Sequence, residues 1–195
     1  VNIALVNELS NITQAFDIST HEIIQAAATK PFGFMPFYPG IGVGGHCIPV
    51  DPSYLLYSAE SLGYGAKFID LANETNLAMP NIVASRIQKY FGGNLQGKRI
   101  QIAGISYKPN ISDLRESPAL ELMKVLTNLE AKVSWCDPYV VNYNGQSSTE
   151  LNHDIDLGLI ITPHDKINFS TWKNSGTKVL DLSADTQNYG WPKFL

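Results

Sequence analysis

The hydrophobic pattern of this chain changes period once, at Gly92-Gly93-Asn94, and that change limits what the chain can fold into. Before the break, apolar residues recur every three or four positions. Ile3, Val6, Leu9, Ile12 and Phe16 make one such series, and Phe68 to Phe91 carries a longer one. This is the period of helices with one buried face. After the break, Arg99 to Ile105, Lys132 to Cys136, Leu157 to Thr162 and Lys178 to Leu182 read as short strands. Ser117-Pro118 opens a helix carrying Leu122, Val125, Leu126 and Leu129. Strands alternating with helices imply βαβ units and a parallel sheet. The expected fold is α/β, with an all-helical part over 1–92 and a parallel-sheet part over 93–195.

Within the helical part, Val1 has no capping residue before it, so the expectation is a chain cut from something longer. Ser19-Thr20-His21-Glu22 reads as a capping box opening a helix through about Thr29. Asp51-Pro52 reads as an N-cap and first helical position, with Gly63 as the stop. Pro80 is expected to kink the long helix or to mark a new start.

Composition excludes several classes. A net charge of −4 argues against nucleic-acid partners, which need basic patches. Every apolar stretch is interrupted by Gly, Pro or charge before it could span a bilayer, so no membrane partner is expected. No secretory signal opens the sequence. Cys47 and Cys136 are the only cysteines, too few for a disulfide framework and without metal-ligand spacing. His21, His46, His153 and His164 are scattered, so no metal site is expected, and a reducing, cytoplasmic setting is the simplest reading.

The most chemically suggestive stretch runs from Pro39 to Pro52, where a glycine-rich segment ends in Gly44-Gly45-His46-Cys47 and Asp51 follows four residues later. Glycines let backbone N–H groups approach a ligand, and a thiol at the end of such a loop can meet a substrate directly. On spacing alone Cys47 is either a nucleophile or a small buried hydrophobe, and Asp51 either a working carboxylate or a helix cap. Adjacent side chains of an extended segment point to opposite faces, so His46 is not expected to pair with Cys47. Gly40, Gly42 and Gly45 match G-x-G-x-x-G. Pro31, Pro36 and Pro39 nevertheless exclude the preceding strand that a dinucleotide fingerprint requires. In the second half, Ser106 to Ser117 follows the first strand, where parallel sheets bind ligands. It carries Lys108 and Arg115 ahead of a helix N-terminus, a reasonable anion site.

Gly44 to Pro52 and Tyr107-Lys108 through Leu114-Arg115-Glu116-Ser117-Pro118 together resemble the UDP-glucose/GDP-mannose dehydrogenase family. The resemblance covers essentially the whole chain. It implies a helical central (dimerisation) domain followed by a Rossmann-like UDP-binding domain, and a homodimer. The family's NAD-holding domain has no counterpart in this sequence. The implied reaction oxidises the C6 hydroxyl of a UDP-sugar to a uronic acid in two hydride transfers to NAD. Cys47 would carry the thiohemiacetal and thioester, and Asp51 would assist proton transfer or position water. Gly44, Tyr38, Tyr107 and Lys108 would contact the substrate, and Arg115 the NAD. The lead-in Thr29 to Phe34 and the His-Cys-Ile-Pro pattern resemble the UDP-N-acetylhexosamine branch, where UDP-N-acetylglucosamine is favoured over UDP-N-acetylmannosamine. Val50 stands where UDP-glucose enzymes carry a basic residue, and Lys30 is the only basic residue where many members place an arginine. The family's catalytic lysine and asparagine fall upstream of Val1, so this chain alone is expected to be inactive. A nucleotide-sugar-binding or dimerisation module without catalysis, and a cofactor-independent thiol hydrolase, are the other classes open at this point.

Overall fold

The structure, a computed structural model, describes residues 1–185, 187 and 189–195. Four helices come first: α1 (Asn2–Ala15), α2 (Thr20–Ala27), α3 (Cys47–Ser61) and α4 (Lys67–Tyr90). The remainder alternates β1 (Arg99–Ala103), α5 (Pro118–Asn128), β2 (Lys132–Cys136), a hairpin of β3 (Asn142–Tyr143) and β4 (Gln146–Ser147), β5 (Leu157–Ile160), α6 (Ser170–Ser175) and β6 (Val179–Asp181). The hairpin and α6 were not foreseen. Both are too short for periodicity to register.

The main sheet has the order β2-β1-β5-β6, and every pairing in it is parallel. Side chains alternate across it. Ile100, Ile102, Leu157 and Leu159 face one core, while Ala103 and Ile160 face another with Trp172 and Phe169. Gly158 is a glycine because a Cβ there would stand 3.0 Å from the Trp172 ring. The sheet reverses its winding between β1 and β5, which makes the carboxyl ends of those two strands the natural crevice. Gly104 (φ +81°) turns the chain there, and a Cβ on it would overlap the Thr162 carbonyl.

The core does not stop where the pattern changes. Met79, Val83, Ala84 and Ile87 of α4 share one cluster with Leu122 and Leu126 of α5 and with the strands. Pro80 does not start a new helix, and α4 runs unbroken through it. What it removes is one donor, so the Asn76 carbonyl has no i+4 N–H to receive.

α1 departs from its expected face. Ala4, Asn7, Ser10 and Thr13 are the buried residues, whereas Ile12 and Phe16 are exposed. Hydrogen bonds explain the inversion. Asn7 Nδ2 donates to Asn76 Oδ1 at 3.1 Å, Thr13 and Thr20 share a 2.7 Å bond, and Arg86 donates to Asn11 at 2.6 Å. The Ser19 cap holds as expected, with its Oγ accepting from the Glu22 N–H.

Candidate active site

α3 begins one turn earlier than Asp51-Pro52 indicated. Cys47 is its first residue, His46 flanks it, and Pro52 lies inside the helix. Pro49 sits in the first turn, where N–H groups have no partner within the helix to lose, and Pro52 forfeits a single bond. Asp51 is therefore not an N-cap. Cys47 and Asp51 stand four residues apart on one helix, hence on one face. Both line a cleft of about 730 Å³, together with Val43, Ile48, Asn73 and Asn76. Cys47 is exposed.

The backbone at His46 (φ −91°, ψ −46°) is helical, not extended. Neighbouring side chains diverge less at a helix start than along a strand, and His46 Nδ1 lies 3.9 Å from Cys47 Sγ. The expectation that these two point apart is corrected. Cys136, by contrast, is half-buried at the end of β2, and burial pushes its thiol up to about 11.

The glycines that lead into Cys47 pack against the α/β part. A Cβ on Gly44 would lie 2.7 Å from Tyr107 Cβ and 2.8 Å from the Glu116 carbonyl oxygen. On Gly45 (φ +97°) it would lie 2.9 Å from the Tyr107 ring. The Gly45 N–H donates to the Arg115 carbonyl at 2.9 Å. Gly42 (φ +129°) abuts the Asn76 carbonyl that Pro80 leaves free, at 3.0 Å from a built Cβ. The Gly40 N–H donates to Asn7 Oδ1 at 2.9 Å. This segment also borders the carboxyl ends of β1 and β5, where a hollow of about 100 Å³ lies between Gly40, Gly42, Gly44, Ser106 and Thr162.

Tyr107 thus covers the glycine segment, and Arg115 lies beside it. Arg115 forks onto Asp113, with Nε 3.0 Å from both carboxylate oxygens, and this holds the Asp113 carboxyl down at about 2. The Arg115 guanidinium is raised chiefly by Asp113, with smaller contributions from Tyr107 and Cys47, so Tyr107 and Cys47 both lie within its field. Lys108 is exposed, and its backbone is tied down by Ser106 Oγ donating to its carbonyl at 2.9 Å. Tyr38 is placed elsewhere. It stacks on His21 with ring centroids 5.1 Å apart and does not line the cleft.

The sequence reading passed over a buried polar network beneath Tyr107 and Lys108. Asp137 Oδ2 accepts from the Ile105 and Ser106 N–H groups and lies 3.0 Å from His164 Nε2. Asp137 Oδ1 accepts from Tyr139 and Val140. Burial pushes the Asp137 carboxyl up, but His164 and these N–H groups outweigh it and leave it below its ordinary value. The Asn110 N–H donates to His164 Nδ1 at 2.8 Å, so Nε2 carries the proton toward Asp137. A carboxylate directly after a predicted strand was the available signal. Asn7 and Asn76, also passed over, had none beyond their place on helices.

The α/β part does not fit NAD. Its first turn lacks the glycine fingerprint, and the carboxylate ending β2, where dinucleotide folds hold a ribose, is consumed by the protein's own N–H groups and His164. Among the described residues no helix is long and apolar enough to cross a membrane, and no cluster of side chains could hold a metal ion.

Comparison with known proteins matches residues 1–78 to the central domain of the UDP-glucose/GDP-mannose dehydrogenase family, and residues 101–188 to that family's UDP-binding domain. The chain is 35% identical over 166 residues to a UDP-N-acetyl-D-glucosamine 6-dehydrogenase of Pseudomonas aeruginosa, covering 84% of this chain and 37% of that protein. It is 35% identical over 194 residues to a UDP-N-acetyl-D-mannosamine dehydrogenase of Methanocaldococcus jannaschii, covering 96% and 44%. A solved UDP-D-ManNAc dehydrogenase from Pyrococcus horikoshii superposes with a TM-score of 0.78 at 27% identity, over 98% of this chain and 46% of that one. The chain therefore spans less than half the length of these relatives.

Proposed function

The chain belongs to the UDP-glucose/GDP-mannose dehydrogenase family, and on that premise we propose that it is the central and UDP-binding portion of an NAD-dependent UDP-sugar 6-dehydrogenase. The proposed substrate is UDP-N-acetyl-D-glucosamine and the product its uronic acid. The observation that carries this reading is the placement of Cys47 and Asp51 on one helical face in a single cleft.

In this reading Cys47 Sγ attacks the C6 aldehyde, forming a C–S bond as the C=O π bond opens, and the proton the thiol gives up ends on the former carbonyl oxygen. Once that carbon has been oxidised to the thioester, water adds to it and Asp51 takes the water's proton. The C–S bond then breaks, and sulfur leaves with the electron pair. A thiol suits both halves, because it adds readily to carbonyls and leaves readily from a thioester. NAD supplies the oxidation on either side of the capture. Of the described residues Arg115, whose field takes in Cys47, is the one proposed to reach it. Tyr107, Lys108 and Gly44, which lie outside the lining of the Cys47 cleft, are proposed as contacts for the part of the substrate that extends beyond it. Tyr38 is retained as one only for a substrate that extends to the His21 side. By itself the chain is proposed to bind without turning over.

The reading includes a homodimer and a cytoplasmic setting. The unburied apolar face supports the first: α3 has no buried residue, and Tyr57, Leu62 and Phe68 are 74%, 75% and 69% exposed. Alkylation by iodoacetamide tests the substrate. UDP-N-acetylglucosamine should slow modification of Cys47 more than UDP-N-acetylmannosamine or UDP-glucose does. Equal or better protection by either of the others would reassign the substrate, and no protection by any would remove the site. NADH production by this chain would overturn its proposed inactivity.

A further inference from the structure

Hydrogen-bond polarity decides what Asn76 shows to the cleft. A backbone N–H can only donate, so the 2.9 Å bond from Gly40 N fixes Asn7 with its Oδ1 toward Gly40. Asn7 Nδ2 then points at Asn76 and must find an acceptor there, which it does at 3.1 Å on Asn76 Oδ1. Both residues are buried, at 0% and 8% exposure, and neither amide can turn over without leaving two donors or two acceptors face to face. Asn76 Nδ2 is left with its protons and no partner among the described residues. What remains exposed of Asn76 lines the Cys47 and Asp51 cleft and a hollow of about 370 Å³ adjoining it through Val43 and Asn73.

We infer that Asn76 presents a fixed hydrogen-bond donor to the cleft, and that an oxygen of the bound sugar, hydroxyl or carbonyl, accepts from it. The inference rests on the UDP-sugar reading above. The polarity is set from outside the cleft, by the backbone of the same glycine segment that delivers Cys47. A segment out of place would therefore release the amide as well as the thiol. Asn76 is thus a binding residue, and Asn7, which touches no part of the cleft, is the positioning residue behind it.

Two near-isosteric variants separate donor from packing. Asn76→Asp still accepts from Asn7 Nδ2 but shows the cleft an acceptor. Asn7→Asp still accepts from Gly40 but now also accepts from Asn76, turning that amide so that its oxygen faces the cleft. Calorimetric titration of the chain at pH 8 with UDP-N-acetylglucosamine and with UDP reads the difference. For each variant the sugar nucleotide should lose roughly three- to tenfold more affinity than UDP does, the loss of one ordinary hydrogen bond. Equal losses for both ligands would assign the effect to added charge and overturn the inference while leaving the UDP-sugar reading standing. So would unchanged binding. Failure of the unsubstituted chain to bind either ligand would overturn both. Should a variant not fold, the side-chain amide resonances of Asn76 in the unsubstituted chain decide, since they must shift with the sugar nucleotide and stay in place with UDP.

Discussion

Gly44→Ala is the substitution on which the geometry commits itself most. Gly44 lies outside the left-handed region, so alanine carries no backbone strain there and the outcome depends on space alone. The new methyl would lie 2.7 Å from Tyr107 Cβ, 2.8 Å from the Glu116 carbonyl oxygen and 3.1 Å from Pro118 Cδ. Carbon atoms settle at about 3.5–4.0 Å, so the glycine segment and the 107–118 loop must separate by about 1 Å. None of the three atoms is the tip of a flexible side chain. Overpacking of this kind costs about 1–3 kcal/mol, and weakening the Gly45 N–H bond to the Arg115 carbonyl adds about 1 kcal/mol. The expected loss is about 2–4 kcal/mol by urea denaturation, or about 5–15 °C in Tm for a chain of this size. Gly65→Ala is the control, with nothing within 4 Å of its Cβ and no positive φ, and should stay within about 1 kcal/mol of the parent. Because the displaced segment runs straight into Cys47, its alkylation rate should change in Gly44→Ala and not in Gly65→Ala. A Gly44→Ala protein within about 0.5 kcal/mol of the parent, with Cys47 reacting at the parent rate, would refute the claim that this contact sets the loop.

Iodoacetamide near neutral pH should label Cys47 and spare Cys136, whose thiol at about 11 holds on the order of a hundredfold less thiolate than an ordinary one, as peptide mapping will show. His21 is held below its ordinary 6.5 chiefly by burial, with Lys193 adding and the Leu195 carbonyl and Asp181 opposing. The unfolded chain takes its proton first, so stability should be level above pH 6.5 and fall as pH drops below it. His21→Gln should flatten that fall in urea midpoints taken at pH 7.5 and 5.5. Light scattering at micromolar concentration should give a dimer, and Phe68→Glu or Tyr57→Glu should shift it toward monomer. A monomeric parent would count against the dimer.

Most of the secondary structure was legible because its signals are local. The Ser19 box, the Gly63 stop and all four strands of the sheet lie within a residue or two of where pattern placed them. The start of α3 was misread because Asp-Pro is a sufficient N-cap signal by itself, and a helix that tolerates Pro52 inside it gives no warning in sequence. The buried face of α1 was misread for a different reason. Apolar periodicity reports which residues avoid water, and here the interior side is chosen by amide and hydroxyl pairs reaching α2 and α4. Cys47 and Asp51 stood out as residues, but their common face followed only once the helix start was known. The Asp137 and His164 network joins positions separated by the β3-β4 hairpin and by β5, a distance across which a single sequence carries no pairing signal.

The sharing of one core across the change in pattern alters how this protein should be divided in the laboratory. A truncation that begins at residue 93, the boundary that periodicity suggests, would strip Met79, Val83, Ala84 and Ile87 from beneath the sheet. Each such side chain except alanine contributes about 1.5–3 kcal/mol when buried, against a whole-domain stability of about 5–15 kcal/mol. A piece that keeps those four side chains has to begin no later than the turn between α3 and α4, at residues 63–66, with all of α4 as its first helix. Expressed that way, the chain would keep the buried members of that cluster except Ile41 and still carry Asn73 and Asn76 of α4, one wall of the cleft without the other.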